Sequence, residues 1–383
     1  MKIGILTWWR NNYGSVLQAY ALEHTLNRYD GVQCEIICQF GKTSTSFDNV
    51  WDKLKSVGVV ETFKRAFWKV SFGGLRRRTQ KMQQFVDSRL IVSEQQYTEQ
   101  TIAKSNECYD AFLCGSDQIW NPDLSPTSSM YWLGFVKSGK KKIAYAPSFG
   151  AKEVSWEQKI QIRENLRSFT AISCREASGA ETLNAIMREN RCVPVLDPTM
   201  LIERKFWDDI SGQPLYKERY VFAYMLRGTK KQRQFIEKFA RQKGLKVISI
   251  PFLDWEKIDL YDLKFGDEKL WDANPAEFIS AIRHAEYVFC DSFHGMVFSI
   301  LYHRPFYIFP KVGKDGKIKE TQLCRITDLL ILAQIPDRIV KDDVVEGRAV
   351  LPDAEIDWNL ADKAVEGARQ ASEFFLRNAL FLQ

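Results

Sequence analysis

Histidine is scarce: the chain of 383 residues has only four. A zinc site would have to gather remote residues, and no spacing in the sequence suggests one. The eight cysteines include no CxxC pair, which argues against a zinc knuckle or a redox dithiol. Most of them lie in apolar strand-like runs, such as Cys114 in AFLCG and Cys290 in YVFCD. That is how buried, reduced thiols of a cytosolic protein are distributed. No apolar run approaches the roughly 18 residues needed to span a bilayer. The N-terminal MKIGILTWWRNNYG has only a short apolar run and no small-residue cleavage site, so it does not read as a signal peptide. The expectation is a cytoplasmic chain, with peripheral contact at the inner face of a membrane left open. GxGxxG, the P-loop and the GxSxG elbow are also missing, which disfavours a dinucleotide site, a P-loop nucleotidase and a serine hydrolase of that type. There is no fixed-period repeat and no low-complexity segment.

What is present is ordinary for a globular protein. Hydrophobic residues make up 45% and charged residues 27%. The length suggests two or three domains. Lysine plus arginine is 54 against 48 for aspartate plus glutamate, a net charge of +6. So mild an excess gives no argument for nucleic acid, and suits an anionic small substrate or an anionic membrane surface.

The pattern along the chain is alternating strand and helix. Residues 2–7 read as a strand, 11–15 as a polar loop, 16–26 as a helix and 33–39 as a strand, the repeating unit of a parallel sheet. Residues 41–81 interrupt it with aromatics and basics, read as helical pieces inserted over one domain. Within them, residues 63–81 fit either an amphipathic element on an anionic membrane or a solvated helix packed on the domain. The sheet resumes at 109–114, 142–146 and 171–174. A second set follows Pro194: strands at 220–226, 246–250, 287–291 and 306–309, helices at 230–242, 275–283 and 295–302. Residues 360–380 form a long amphipathic helix. The fold class is therefore α/β with mainly parallel sheets.

In such sheets ligands dock beyond the carboxyl ends of the strands, so the polar loops there are the candidates. His294, in Asp291-Ser292-Phe293-His294-Gly295, stands where a strand gives way to a helix. Free amides at a helix start attract anions, and a histidine there can move a proton or pair with phosphate. It could also merely cap the helix. Arg175 follows residues 171–174, before a helix that starts with Ala177, Ser178 and Gly179. It is either an anion clamp or half of a surface Arg–Glu pair with Glu176. The loop GSDQIWN offers Ser116, Asp117, Gln118, Trp120 and Asn121 to a hydroxyl-rich ligand, with Asp117 either a base or the hinge of an Asx turn. Asn12, Tyr13, Gly14 and Ser15 open the first helix. Residues 311–328 read as a mobile loop over the cleft, or a plain surface loop, with Arg325 near the start of the next helix in reach of an anion. His24, His284 and His303 read as structural or surface residues.

Taken together, these strand-end segments resemble the polysaccharide pyruvyl transferase family. The matching residues are NYGSVLQAYAL at 12–22, YDAFLCGSDQIWN at 109–121, KIAYAPSFG at 142–150, SCRE at 173–176, LDPT at 196–199 and DSFHG at 291–295. They run in order to about residue 310, with a weaker match at 325–330. The resemblance implies a fold similar to GT-B glycosyltransferases. Two Rossmann-like domains, 1–194 on the acceptor side and 195–350 on the donor side, would face each other across a cleft. A C-terminal helix within 351–383 would cross back to the first domain. It implies phosphoenolpyruvate as donor, and as acceptor a sugar of a surface polysaccharide or its lipid-linked precursor. The product would be a cyclic ketal, with no metal or organic cofactor; the mild charge excess separately leaves no nucleic acid partner expected. His294 matches the family's catalytic histidine and Arg175 an arginine that grips the donor. Ser178, Ser292, Gly295 and Arg325 complete the expected donor side. Asn12, Tyr13, Gly14, Ser116, Asp117, Gln118 and Asn121 would face the acceptor. Some members carry arginine where this chain has Ser292, so Lys311, Lys314 or Arg325 would have to replace it. Two other readings stand beside this one: a GT-B-like glycosyltransferase using a nucleotide sugar, and a non-catalytic glycan-binding or assembly protein.

Overall fold

Strand β1, Lys2–Leu6, is buried at every position but Lys2. β4, Ala111–Cys114, and β8, Tyr220–Tyr224, are buried throughout. A strand covered on both faces reads as a continuous apolar run, the mark of the interior of a parallel sheet. The computed structural model describes residues 1–39, 73–122, 130–150, 154–251, 260–311 and 320–382. Most of the inserted stretch 41–81 therefore lies outside the described residues, as does Lys314; from residue 73 that stretch belongs to the helix Gly73–Arg89.

Two units build the chain: Met1–Arg175 with Gly179–Pro194, and Glu176–Ser178 with Val195–Gln383. The first holds a sheet of order β3-β2-β1-β4-β5-β6-β7, adding β2 (Gln33–Gln39), β3 (Val92–Tyr97), β5 (Lys141–Ala144), β6 (Ala171–Cys174) and β7 (Cys192–Pro194). The second has the order β10-β9-β8-β11-β12, adding β9 (Lys246–Ser249), β10 (Glu268–Lys269), β11 (Tyr287–Cys290) and β12 (Phe306–Ile308). Every pairing in both sheets is parallel. The polar strand β3, VSEQQY, was not anticipated; it lies at the edge of the order and buries only Ser93 and Tyr97.

Helix starts follow local chemistry. Ser155, Thr229 and Asn274 each cap a helix and close a capping box with Gln158, Gln232 and Glu277. In the first unit Trp120 stacks on Trp132 at 4.6 Å between ring centroids. In the second, Phe289 stacks between Tyr307 and Phe309. Arg233 and Asp262 form a sealed ion pair at 2.6 Å. The last helix, Trp358–Phe381, buries Ala361, Val365, Ser372, Leu376, Ala379 and Leu380. Arg369 Nε donates to the Met200 carbonyl at 2.8 Å, and the Leu196 amide donates to Ser372 Oγ at 2.9 Å, all within the second unit. Among the described residues no helix is long and apolar enough to cross a membrane.

One buried carboxyl makes stability depend on pH. Glu23, on the helix Tyr13–Asn27, accepts from Asn27 Nδ2 at 2.6 Å and the Ile91 amide at 3.3 Å. Both partners are neutral, and burial pushes its carboxyl up to about 7. The folded state then holds this proton more tightly than the unfolded chain. Stability falls as pH rises from the ordinary carboxyl range through 7, by up to about 3 kcal/mol at about 1.4 kcal/mol per unit. Urea titrations at pH 5 and pH 8 should show that loss in the wild type and a much flatter profile in Glu23→Gln.

Candidate functional site

Each sheet order contains one point where the winding reverses. In the first it lies between β1 and β4, in the second between β8 and β11. Loops leaving the carboxyl ends of two such strands part in opposite directions and leave a crevice.

At the β1/β4 reversal the two loops are stitched together. Asn12 caps the first helix, its side chain accepting from the Gly14 amide at 2.9 Å and the Ser15 amide at 3.4 Å. That helix begins at Tyr13, three residues earlier than the apolar spacing predicts, because the cap and not the hydrophobic pattern sets the start. Gln18 Nε2 bonds Thr7 Oγ1 and the carbonyls of Trp8 and Ser15. Thr7 Oγ1 donates to the Ser116 carbonyl at 2.6 Å, and Ser15 Oγ to Asp117 Oδ2 at 2.5 Å. The other oxygen of Asp117 accepts from the Gln118 amide at 2.8 Å. The carboxylate bonds the amide one residue on, not the two of an Asx turn, and tethers the loop to the first helix. Asn121 Nδ2 reaches Gln118 Oε1 at 3.2 Å. Asn11, Asp117 and Ala146 hold positive φ of 58°, 78° and 55°, three left-handed non-glycine residues in loops beyond this sheet edge. Gly115 is required by proximity: a Cβ there would lie 2.9 Å from Leu22 Cδ2 and 3.0 Å from Thr7 Cβ. Arg175, buried past the end of β6, extends Nη1 to 3.5 Å from Ser116 Oγ. The structure thus brings Asn12, Ser116, Asp117, Gln118, Asn121 and Arg175 to one edge of the first unit.

At the β8/β11 reversal Asp291 directly follows β11 and is almost wholly buried. Its two oxygens accept from the amides of Leu226 at 2.7 Å and Arg227 at 2.6 Å, fastening the loop after β8 to the end of β11. Ser292 caps the helix Phe293–Leu301, its hydroxyl accepting from the Gly295 amide at 3.4 Å. A Cβ on Gly295 would sit 2.7 Å from Cys290 Sγ, so the helix start presses on the strand it follows. His294, second in that helix, is buried. Its Nε2 makes no hydrogen bond among the described residues and faces Asp197 Oδ2 at 3.5 Å. The other oxygen of Asp197 is held by the Thr199 amide at 3.0 Å and hydroxyl at 2.7 Å, so this carboxylate is fixed where it faces the imidazole.

Three cations surround the same strand ends. Lys311 follows β12, and its ammonium is lowered to about 8, first by burial, then by the nearby charges of Arg325 and Arg227, against the opposing pull of Asp291. The Arg325 guanidinium lies 6.0 Å from the centre of the Phe293 ring. Arg325 stands in the second turn of the helix Glu320–Leu332. Ser178 has another partner: its amide and hydroxyl both donate to Asp328 Oδ2, at 2.9 and 2.7 Å, so a carboxylate of the chain already covers that helix start.

Asp197 and Arg227 were not singled out from the sequence. Asp197 carried a signal in LDPT, an aspartate between a short apolar run and a proline. Arg227 carried one only as the cation following a strand. The other histidines stay structural: His284 Nδ1 lies 3.0 Å from the Ser280 carbonyl, and His303 stacks on Trp358 and pairs with Asp362 at 2.8 Å. His24 lies within the first helix beside Tyr20. All eight cysteines are free thiols, and six are buried. No group of three or more His, Cys, Asp or Glu is placed to hold a metal among the described residues.

Two parallel sheets, each with its own reversal point, define an α/β protein of two Rossmann-like domains. One similar solved structure is Methanocaldococcus jannaschii UDP-GlcNAc 2-epimerase in complex with UDP-GlcNAc and UDP. It has a TM-score of 0.52 and 11% identity, over 98% of this chain and 100% of that one. The S. aureus MnaA–UDP structure is also similar, with a TM-score of 0.52 and 10% identity, over 100% of this chain and 97% of that one. At such identities the likeness is one of fold. No curated protein matches the chain. The polysaccharide pyruvyl transferase family model matches residues 12–310, and the chain belongs to that family.

The half-buried Lys311 gives a test that needs no acceptor. An anion held by the second unit's cations binds best while Lys311 is protonated, so affinity should fall as pH rises through about 8. Calorimetric titration with inorganic phosphate should show Kd rising by up to about tenfold per pH unit between 8 and 9.5. Lys311→Arg, whose guanidinium stays charged, should hold Kd nearly constant over that range. A wild-type Kd flat across that range would remove Lys311 from the anion site.

Proposed function

We propose that the protein transfers the pyruvyl group of phosphoenolpyruvate to two hydroxyls of a sugar in a surface polysaccharide or its lipid-linked precursor, releasing phosphate. The observation that carries this reading is the β8/β11 crevice. There a buried imidazole backed by a fixed carboxylate stands at a helix start, and Lys311, Arg325 and Arg227 gather at the ends of the same sheet.

Phosphoenolpyruvate is small and carries phosphate and carboxylate together. Binding it asks for clustered cations and free helix amides. Transfer asks for a proton on the enol methylene carbon, which becomes a methyl group and leaves an oxocarbenium-like centre at the carbon bearing phosphate. In this proposal His294 gives that proton. A sugar hydroxyl then adds to the cationic carbon, and its proton returns to His294. A second hydroxyl displaces phosphate from the same carbon and closes the ketal, its proton leaving on the departing phosphate. Asp197 is a positioning residue that orients the ring, as a carboxylate behind a catalytic histidine does. The cations stabilise the developing charge on the leaving phosphate. Lys311 and Arg325 take the place of the arginine absent at Ser292, which here caps the helix instead. Arg175 is proposed as a donor contact by family resemblance, and the hydroxyl and amide groups of Asn12, Ser116, Gln118 and Asn121 as contacts to the sugar. The steps as written use no metal or organic cofactor.

Thermal unfolding with phosphoenolpyruvate at about 100 times its dissociation constant should show about 2.7 kcal/mol of added stability, lost in Arg175→Ala. Stabilisation by uridine diphosphate and none by phosphoenolpyruvate would overturn the reading in favour of nucleotide-sugar chemistry. With an acceptor in hand, His294→Gln should lower kcat about 10²- to 10⁴-fold. Asp197→Asn should lower kcat less, about 10- to 100-fold, and shift the pH profile of kcat while leaving donor binding intact. An unshifted profile would make Asp197 a purely structural cap.

A further inference from the structure

The first unit has a second polar feature, away from its strand-end loops. A cavity of about 210 Å³ is lined by Arg163, Arg167, Arg188, Arg191, Glu189 and Met187. A single water occupies about 30 Å³ in the liquid, so the space is far larger than an ordered water needs. The lining comes from the end of the helix Trp156–Arg167, the end of the helix Ala177–Met187 and the turn into β7. In a parallel sheet the connecting helices run back against the strands, so both helix ends lie toward the amino-terminal edge. Asn12, Ser116 and Arg175 lie at the opposite edge, so this is not the site already described.

Four guanidinium groups meet here, and two are held in place. Arg163 Nε donates to the Ile186 carbonyl at 2.7 Å, and Arg191 Nη2 to the Phe169 carbonyl at 2.6 Å. The carboxylates paired within the cluster are exposed and fewer: Glu164 with Arg167 at 3.0 Å and Glu189 with Arg191 at 3.8 Å. One cation per helix end would answer the dipole; four converging on one cavity leave an excess of positive charge that suits phosphate oxygens.

A second observation indicates what presents the phosphate. Trp156 is 72% exposed and Ile160 is 41% exposed. At spacings of four, three and four, Trp156, Ile160, Arg163 and Arg167 follow one another down a single face of the helix. Ile162 and Leu166 turn the other way, into the core. An exposed tryptophan and isoleucine in line with an arginine cluster form the pattern of a helix lying at a lipid interface.

We propose that this face docks on an anionic lipid surface, with phosphate headgroups in the arginine cavity and Trp156 and Ile160 in the interface. The test is co-sedimentation of the full chain with vesicles of phosphatidylglycerol and phosphatidylcholine, against phosphatidylcholine alone. The wild type should partition onto the anionic vesicles and be released by high salt. Arg167→Gln with Arg188→Gln, which leaves both backbone-anchored arginines alone, should weaken partitioning about thirtyfold. Trp156→Ser should weaken it several-fold, and a matching far-ultraviolet spectrum and melting temperature would show that both variants fold. Wild-type partitioning that the arginine variant leaves unchanged would place any membrane contact elsewhere and overturn the proposal. So would the absence of partitioning. Stabilisation by inorganic pyrophosphate that depends on Arg167 and Arg188, without vesicle binding, would assign the cavity to a free anion and overturn the lipid source.

Discussion

Parallel pairing governs both units of this protein. Two parallel strands cannot be joined by a tight turn, so each connection must travel back along the sheet, usually as a helix. Loops that follow strands therefore collect at one edge of each sheet, and helix starts point toward that edge. Once the order reverses between β1 and β4, and between β8 and β11, a crevice at each reversal is unavoidable. The side chains assigned here to chemistry were brought to those crevices by the sheet.

Buried carboxylates keep the crevices in shape. Asp291 is surrounded by apolar strands, yet its two oxygens are answered by the amides of Leu226 and Arg227. Removing the carboxylate would leave two half-buried amides without acceptors, at up to about 1–3 kcal/mol each. Asp117 and Asp197 follow the same logic, each with one oxygen bonded locally and the other turned to a partner: the Ser15 hydroxyl for Asp117, the His294 imidazole for Asp197. A short acidic side chain thus fixes a loop and orients a neighbour at once. Gly115 and Gly295 belong to the same scheme, because a Cβ at either would collide with the element packed against it.

Charge is distributed unevenly on this scaffold. The net excess of +6 is small. Locally it is concentrated, with Lys311, Arg325 and Arg227 at one sheet edge and four arginines around a cavity of the other unit. The depressed ammonium of Lys311 reflects its burial first, and the neighbouring charges of Arg325 and Arg227 second. Clusters of this kind cost stability through self-repulsion, and binding an anion relieves the repulsion. That is why both are read as binding features and not as solvated surface.

Much of this was determined by the sequence itself. Continuous apolar runs such as AFLC and YVFC dictate strands buried on both faces, and those imply a parallel α/β fold. Asn12 and Ser292 announce helix starts because their side chains answer free amides locally. DSFHG marked His294 because strand, cap and helix follow within five residues. Only the tertiary structure decided the rest. Asp197 lies 97 residues from His294, so no local pattern could pair them. Ser178 resembled an open helix start until Asp328, 150 residues further on, was found covering it. The polar strand β3 forms because the edge of a sheet accepts a sequence with little of its own to bury. The arginine cavity has no motif, because its four guanidinium groups come from two helix ends and a turn that meet only after the sheet has formed. Local rules set elements and caps; contacts between distant elements set partners, and partners decide the chemistry.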